Sequence, residues 1–188
     1  MRWLIHVPVV HTVQDLGSHL EKAKAEYLKE FGLRQWNKHV RDTGNLWKMI
    51  RDEVLALSVD FARLKVFQDG LPVCGRKMEI VRKLAADGNP NHRLLADLAD
   101  RGATILGTEE PDLLLREKKN LETLPGTRGP VANELLRLRD AFVAKRIAAM
   151  VGDGETGLLF MGALHQVEKI LPPDFEVKKL TDERNHQR

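Results

Sequence analysis

Five short runs of aliphatic and β-branched residues punctuate the chain, at positions 4–11, 64–68, 104–107, 158–163 and 175–180. Each has the length and composition of a buried strand, and the stretches between them carry helical spacing. Strands that alternate with helices predict an α/β fold: a mainly parallel sheet of about five strands, flanked by helices and joined by right-handed crossovers. At 188 residues the chain fits one domain covering 1–188, because chains divide mostly beyond roughly 250–300 residues.

The first crossover is far longer than the dozen or so residues such a connection needs. Within it, Trp36, Val40, Thr43, Trp47, Ile50, Val54, Leu57 and Phe61 recur in steps of four and three, stacking along one side of a helix. The run around Gly32 reads as the end of an earlier helix beginning near Ser18. A helical pair over 15–62 is therefore expected as an insert or cap laid against the sheet, its stripe serving as core, as a homodimer seam or as a lid. Shorter helices follow at 79–86 and 92–101, another starts at Pro111, and a long one spans 131–151. Residues 182–188 read as a flexible tail.

Composition narrows the function classes. Lys plus Arg exceed Asp plus Glu only by 30 to 27, with the signs interspersed, so no nucleic-acid partner is expected. No stretch approaches transmembrane length, the opening residues lack the features of a signal peptide, and the single Cys74 has no internal partner. A soluble cytoplasmic protein is the expectation, and Cys74 reads as an inert thiol.

In a parallel sheet the residues just past the strands' C-terminal ends gather along one edge, where open α/β sheets bind ligands. Here those positions hold His11, Asp69, Glu109 and His165. Any one of them alone reads better as a turn or capping residue; four together predict a site. Imidazole and carboxylate ligate Zn, Mn or Fe, and the same groups without metal serve as general base and acid. The expected metal set is His11, Asp69, Glu109 and His165. On the long helix, Arg139 and Arg146 are seven apart and share a face, which either brings one of them to the edge to hold an anionic group or leaves both on an exposed helix face with Asp140 pairing locally. His6 lies on the opposite face from His11 and is expected under a helix. Pro8 requires an edge or a bulge at that point in the first strand.

The pattern resembles the TraB/TIKI superfamily, which includes EreA esterase-like and ChaN-like proteins. The likeness rests on Gly162-Ala163-Leu164-His165 closing an apolar strand, on the helix segment Arg139-Asp140-Ala141-Phe142-Val143-Ala144, and on Pro8-Val9-Val10-His11 near the start. Pro8 stands where the family usually has glycine, and Asp69 where it often has glutamate. The resemblance implies a hydrolase-like site built from His11, Asp69, Arg139 and His165, with proteases and esterases among its members. The residues thus point to hydrolysis, with a divalent metal or by acid–base chemistry, on a small-molecule or peptide substrate. A non-catalytic module binding a small ligand in the same cleft, or a partner through the helix over 36–61, is the alternative.

Overall fold

The computed structural model describes residues 1–10, 12, 15, 20–123 and 129–180; His11 and the expected tail at 182–188 lie outside them. The described residues form a five-stranded sheet in the order β3-β2-β4-β1-β5, with every pairing parallel. The strands are β1 (Arg2–Val9), β2 (Leu64–Pro72), β3 (Thr104–Glu109), β4 (Thr156–Gly162) and β5 (Phe175–Lys179). All five fall on the apolar runs. At the functional end, however, β2 and β3 run on to Pro72 and Glu109, so Asp69 and Glu109 belong to the strands themselves and not to the loops after them.

Helices α1 (Leu20–Leu55), α2 (Lys77–Ala86), α3 (Pro90–Asp100), α4 (Pro111–Thr123) and α5 (Pro130–Met150) complete the fold. Side-chain alternation along the strands separates two cores. Ile5, Val7, Val66, Ile105, Leu158 and Phe160 pack against Trp47, Ile50 and Val54 of α1, Val81 of α2 and Leu94, Leu95 and Leu98 of α3. On the other face Leu4, Phe67, Leu106, Leu159 and Met161 meet Val143, Ala144 and Ile147 of α5. The sheet is buried on both faces, which is why its strands read as continuous apolar runs.

Two helices meet within α1 at Gly32, whose φ of 77° and ψ of 167° lie outside the helical region and suit a residue without a Cβ. Beyond it the chain folds back. Tyr27 lies 5.5 Å from the Trp36 ring and 5.7 Å from that of His39, whereas in a straight helix His39 would stand roughly 18 Å along the axis. The expected helical pair is thus present. Trp36, Trp47, Ile50 and Val54 of its stripe are buried, whereas Val40 is exposed; Trp47 fixes its ring by donating from Nε1 to the Val10 carbonyl at 2.9 Å.

Pro8 is accommodated at an edge. β5 pairs with β1 only from Arg2 to His6, so at Pro8 the strand has β4 alone as a neighbour.

Candidate functional site

The site begins where the strand ladders part. β2 pairs with β4 as far as Gln68 opposite Phe160, and its register with β3 shifts between Gln68 and Pro72. This irregularity frees the Asp69 side chain to turn across the sheet edge, where Oδ2 accepts the backbone N–H of Gly162 at 3.2 Å. The β2 backbone swings so close to β3 that a Cβ on Gly107 would stand 2.4 Å from the Pro72 carbonyl oxygen. Only glycine fits there.

From α5, Arg139 reaches into the gap. Its Nε donates to Glu109 Oε2 at 2.9 Å, and Nη2 donates to Glu109 Oε1 at 2.9 Å and to Asp69 Oδ1 at 3.0 Å. Glu109 also accepts from the Gly70 N–H at 3.3 Å and from the Thr108 hydroxyl at 3.1 Å. Its side chain is fully buried and that of Arg139 is 9% exposed. A buried fork of this kind is tolerable because nearly every lone pair and N–H finds a partner. Burial alone would raise the Glu109 carboxyl, but the hydrogen bonds and charge of Arg139 outweigh it and hold the group below its ordinary range. Asp69 moves the other way. Burial lifts its carboxyl above the usual value, Glu109 adding to the effect against the opposing pull of His165, Arg139 and the Gly162 N–H.

Next to Arg139 in sequence, Asp140 serves a different partner. Its Oδ1 lies 2.5 Å from His165 Nδ1, and its Oδ2 accepts the Gln166 N–H at 2.9 Å. Asp140 therefore grips the chain on either side of the His165 carbonyl and selects the tautomer with the proton on Nδ1. In the neutral ring the lone pair then falls on Nε2, which faces Asp69 Oδ2 at 3.8 Å. The result is a row, Asp140–His165–Asp69, with Arg139 behind the last carboxylate.

Of the residues singled out from the sequence, Asp69, Glu109, Arg139 and His165 thus converge on one point, and His11 lies outside the described residues. Arg146 shares the face of Arg139 but its Nε donates to the Gly107 carbonyl at 3.0 Å, so it braces β3. Cys74 is half-buried beyond β2. Asp140 was not among the expected site residues; its signal was its place beside Arg139, masked because neighbours in a helix point about 100° apart. A second imidazole–carboxylate couple was also missed: His6, on the α5 side of β1, meets Glu168 through Nδ1 and the Met161 carbonyl through Nε2 at 3.3 Å.

Among the described residues no group of three or more His, Cys, Asp or Glu side chains is disposed to hold a metal ion. Both Glu109 oxygens accept from Arg139, and His11, the fourth member of the expected metal set, lies outside the described residues. No helix among these residues is long and apolar enough to cross a membrane. Compared with known protein families, curated proteins and solved structures, the chain matches none.

Proposed function

We propose that the chain is a hydrolase working by acid–base chemistry at the C-terminal edge of its sheet. The observation that carries this reading is the Asp140–His165–Asp69 row: an imidazole held by one carboxylate at 2.5 Å, its free nitrogen facing a second at 3.8 Å. The environments of Asp69 and Glu109 drive their proton affinities apart, the pattern by which neighbouring carboxylates acquire separate roles. The resemblance to the TraB/TIKI superfamily implies Asp69, Arg139 and His165 of this set, together with His11, and the same reaction class.

In this mechanism His165 Nε2 takes a proton from water while Asp140 steadies the resulting imidazolium. The water oxygen bonds to the electrophilic carbon or phosphorus of the substrate, and the bond to the leaving group breaks. Asp69, whose proton affinity burial raises, protonates the leaving group from its acid form, and the imidazolium proton restores Asp69. Arg139 holds Asp69 in place and supplies positive charge behind the developing anion.

A second reading, a non-catalytic pocket for a small ligand, is favoured by how completely Glu109, Arg139 and Asp140 satisfy one another. The two separate by assay of the wild type, His165→Ala and Asp69→Asn against chromogenic carboxylate esters, amides and phosphoesters. The hydrolase reading predicts turnover that falls by on the order of a hundredfold or more in either variant, since general acid–base catalysis contributes about 10²–10⁴. Turnover that is unaffected by both substitutions would end it, and saturable binding without turnover would establish the second reading.

A further inference from the structure

Between α5 and the 3-10 turn Val167–Ile170 the surface opens into a cavity of about 260 Å³. Asp140 and Gln166 line it, so the cavity shares a wall with the couple that holds His165. Leu136, Leu164 and Ile170 supply an apolar surface. Leu164 and Ile170 are 55% and 51% exposed, an uncovered apolar pair at the mouth of a concave site.

The polar groups around this surface are cationic donors with capacity to spare. Arg137 donates Nε and Nη2 to Glu134 at 2.9 and 2.8 Å, which leaves its Nη1 hydrogens without a partner among the described residues. That pair is exposed, with side chains 69% and 51% accessible, so a ligand displaces or shares it at little cost. Lys169 gives one hydrogen bond to Gln166 Oε1 at 3.1 Å and has no carboxylate partner among the described residues. Asn133, one turn before Arg137 on α5, adds an amide to the same wall. The carboxylate that does line the cavity, Asp140, has both oxygens occupied by His165 and Gln166.

We propose that this cavity binds a small amphipathic organic anion, a carboxylate with a short aliphatic chain. The carboxylate takes Arg137 and Lys169, and the chain covers Leu136, Leu164 and Ile170. The volume, about 260 Å³, lies just below the range of pockets for drug-sized ligands, which begins at about 300 Å³, and has room for a ligand the size of a short-chain carboxylate. The proposal does not depend on the hydrolase reading, because Asp69, Arg139 and His165 are not among the residues that line the cavity, and it predicts binding whether or not His165 is catalytic.

Hexanoate is the probe, with hexan-1-ol and inorganic phosphate each carrying half of its chemistry. Calorimetry of the intact protein is predicted to show one hexanoate site, with both half-probes at least tenfold weaker. NMR is predicted to place the largest amide shifts at Leu164 and Gln166. The Arg137→Gln/Lys169→Gln variant is predicted to weaken hexanoate at least tenfold, Leu164→Asp to abolish binding, and Asp69→Asn to leave it unchanged. Absence of hexanoate binding, or equal affinity in the Arg137→Gln/Lys169→Gln variant, would overturn the proposal. So would phosphate binding as tightly as hexanoate, which would reassign the cavity to inorganic anions.

Discussion

Arg139 stands between two carboxylates that would otherwise face each other in a buried space. Its removal leaves both unpaired, and breaking one partner of a buried ion pair costs about 3–5 kcal/mol. Arg139→Met is therefore predicted to lower stability by that amount in urea unfolding, and adding Glu109→Gln to recover part of the loss, because the uncompensated charge is then gone. Asp69 makes the opposite prediction. Its folded proton affinity is raised, chiefly by burial, so its contribution is fully present below the unfolded carboxylate range and declines as pH rises through the higher folded value. Asp69→Asn, which keeps the neutral form at every pH, should raise the melting temperature relative to wild type more at pH 7 than at pH 4. Glu109, lowered by Arg139, has the reverse sign, and its contribution is lost as pH falls. At this scale the strand ends disclosed Asp69, Glu109 and His165, and helical spacing disclosed Arg139. Asp140 stayed hidden because its role depends on where the turn Ala163–Leu164 aims the imidazole, which no periodicity records.

Among the elements, α1 and the β2–β3 junction hold the site in shape. Trp47 is 2% exposed, stacks 6.5 Å from Phe160 of β4 and donates to the Val10 carbonyl. Trp47→Ala removes a buried aromatic side chain and its hydrogen bond, and a loss of about 3–5 kcal/mol is predicted from thermal or urea unfolding. Gly107→Ala tests the other support. A Cβ at 2.4 Å from a carbonyl oxygen forces β2 away from β3, and overpacking of this kind costs typically 1–3 kcal/mol. The same displacement separates Asp69 from Gly162, so this variant is predicted to lose turnover as well as stability. The helices were legible because their caps are local: Asn89 accepts from the His92 N–H at 3.1 Å, with Pro90 following at the first helical position. The extensions of β2 and β3 were not, since they depend on Pro72 pairing with Glu109 across the sheet, beyond an Asp69-Gly70 step whose own preferences favour a turn.

For the molecule as a whole, alternation of strand and helix was enough to specify a parallel sheet, but not its order. The order β3-β2-β4-β1-β5 places β4 between β2 and β1, so that Gly162 and His165 come to lie beside Asp69, separated from it by more than ninety positions along the chain. This adjacency creates the site, and it arises from how the crossovers cover the two faces, α1 to α3 on one and α5 on the other. In the proposed mechanism His165 is a base with its lone pair on Nε2, aimed at Asp69. The most direct test is the tautomer of His165, read from its imidazole ¹⁵N shifts by NMR in the wild type and in Asp140→Ala. The proposed mechanism predicts a proton fixed on Nδ1 in the neutral wild-type ring and a mixture of tautomers once Asp140 is gone. A neutral ring carrying its proton on Nε2, or one indifferent to the loss of Asp140, would contradict it.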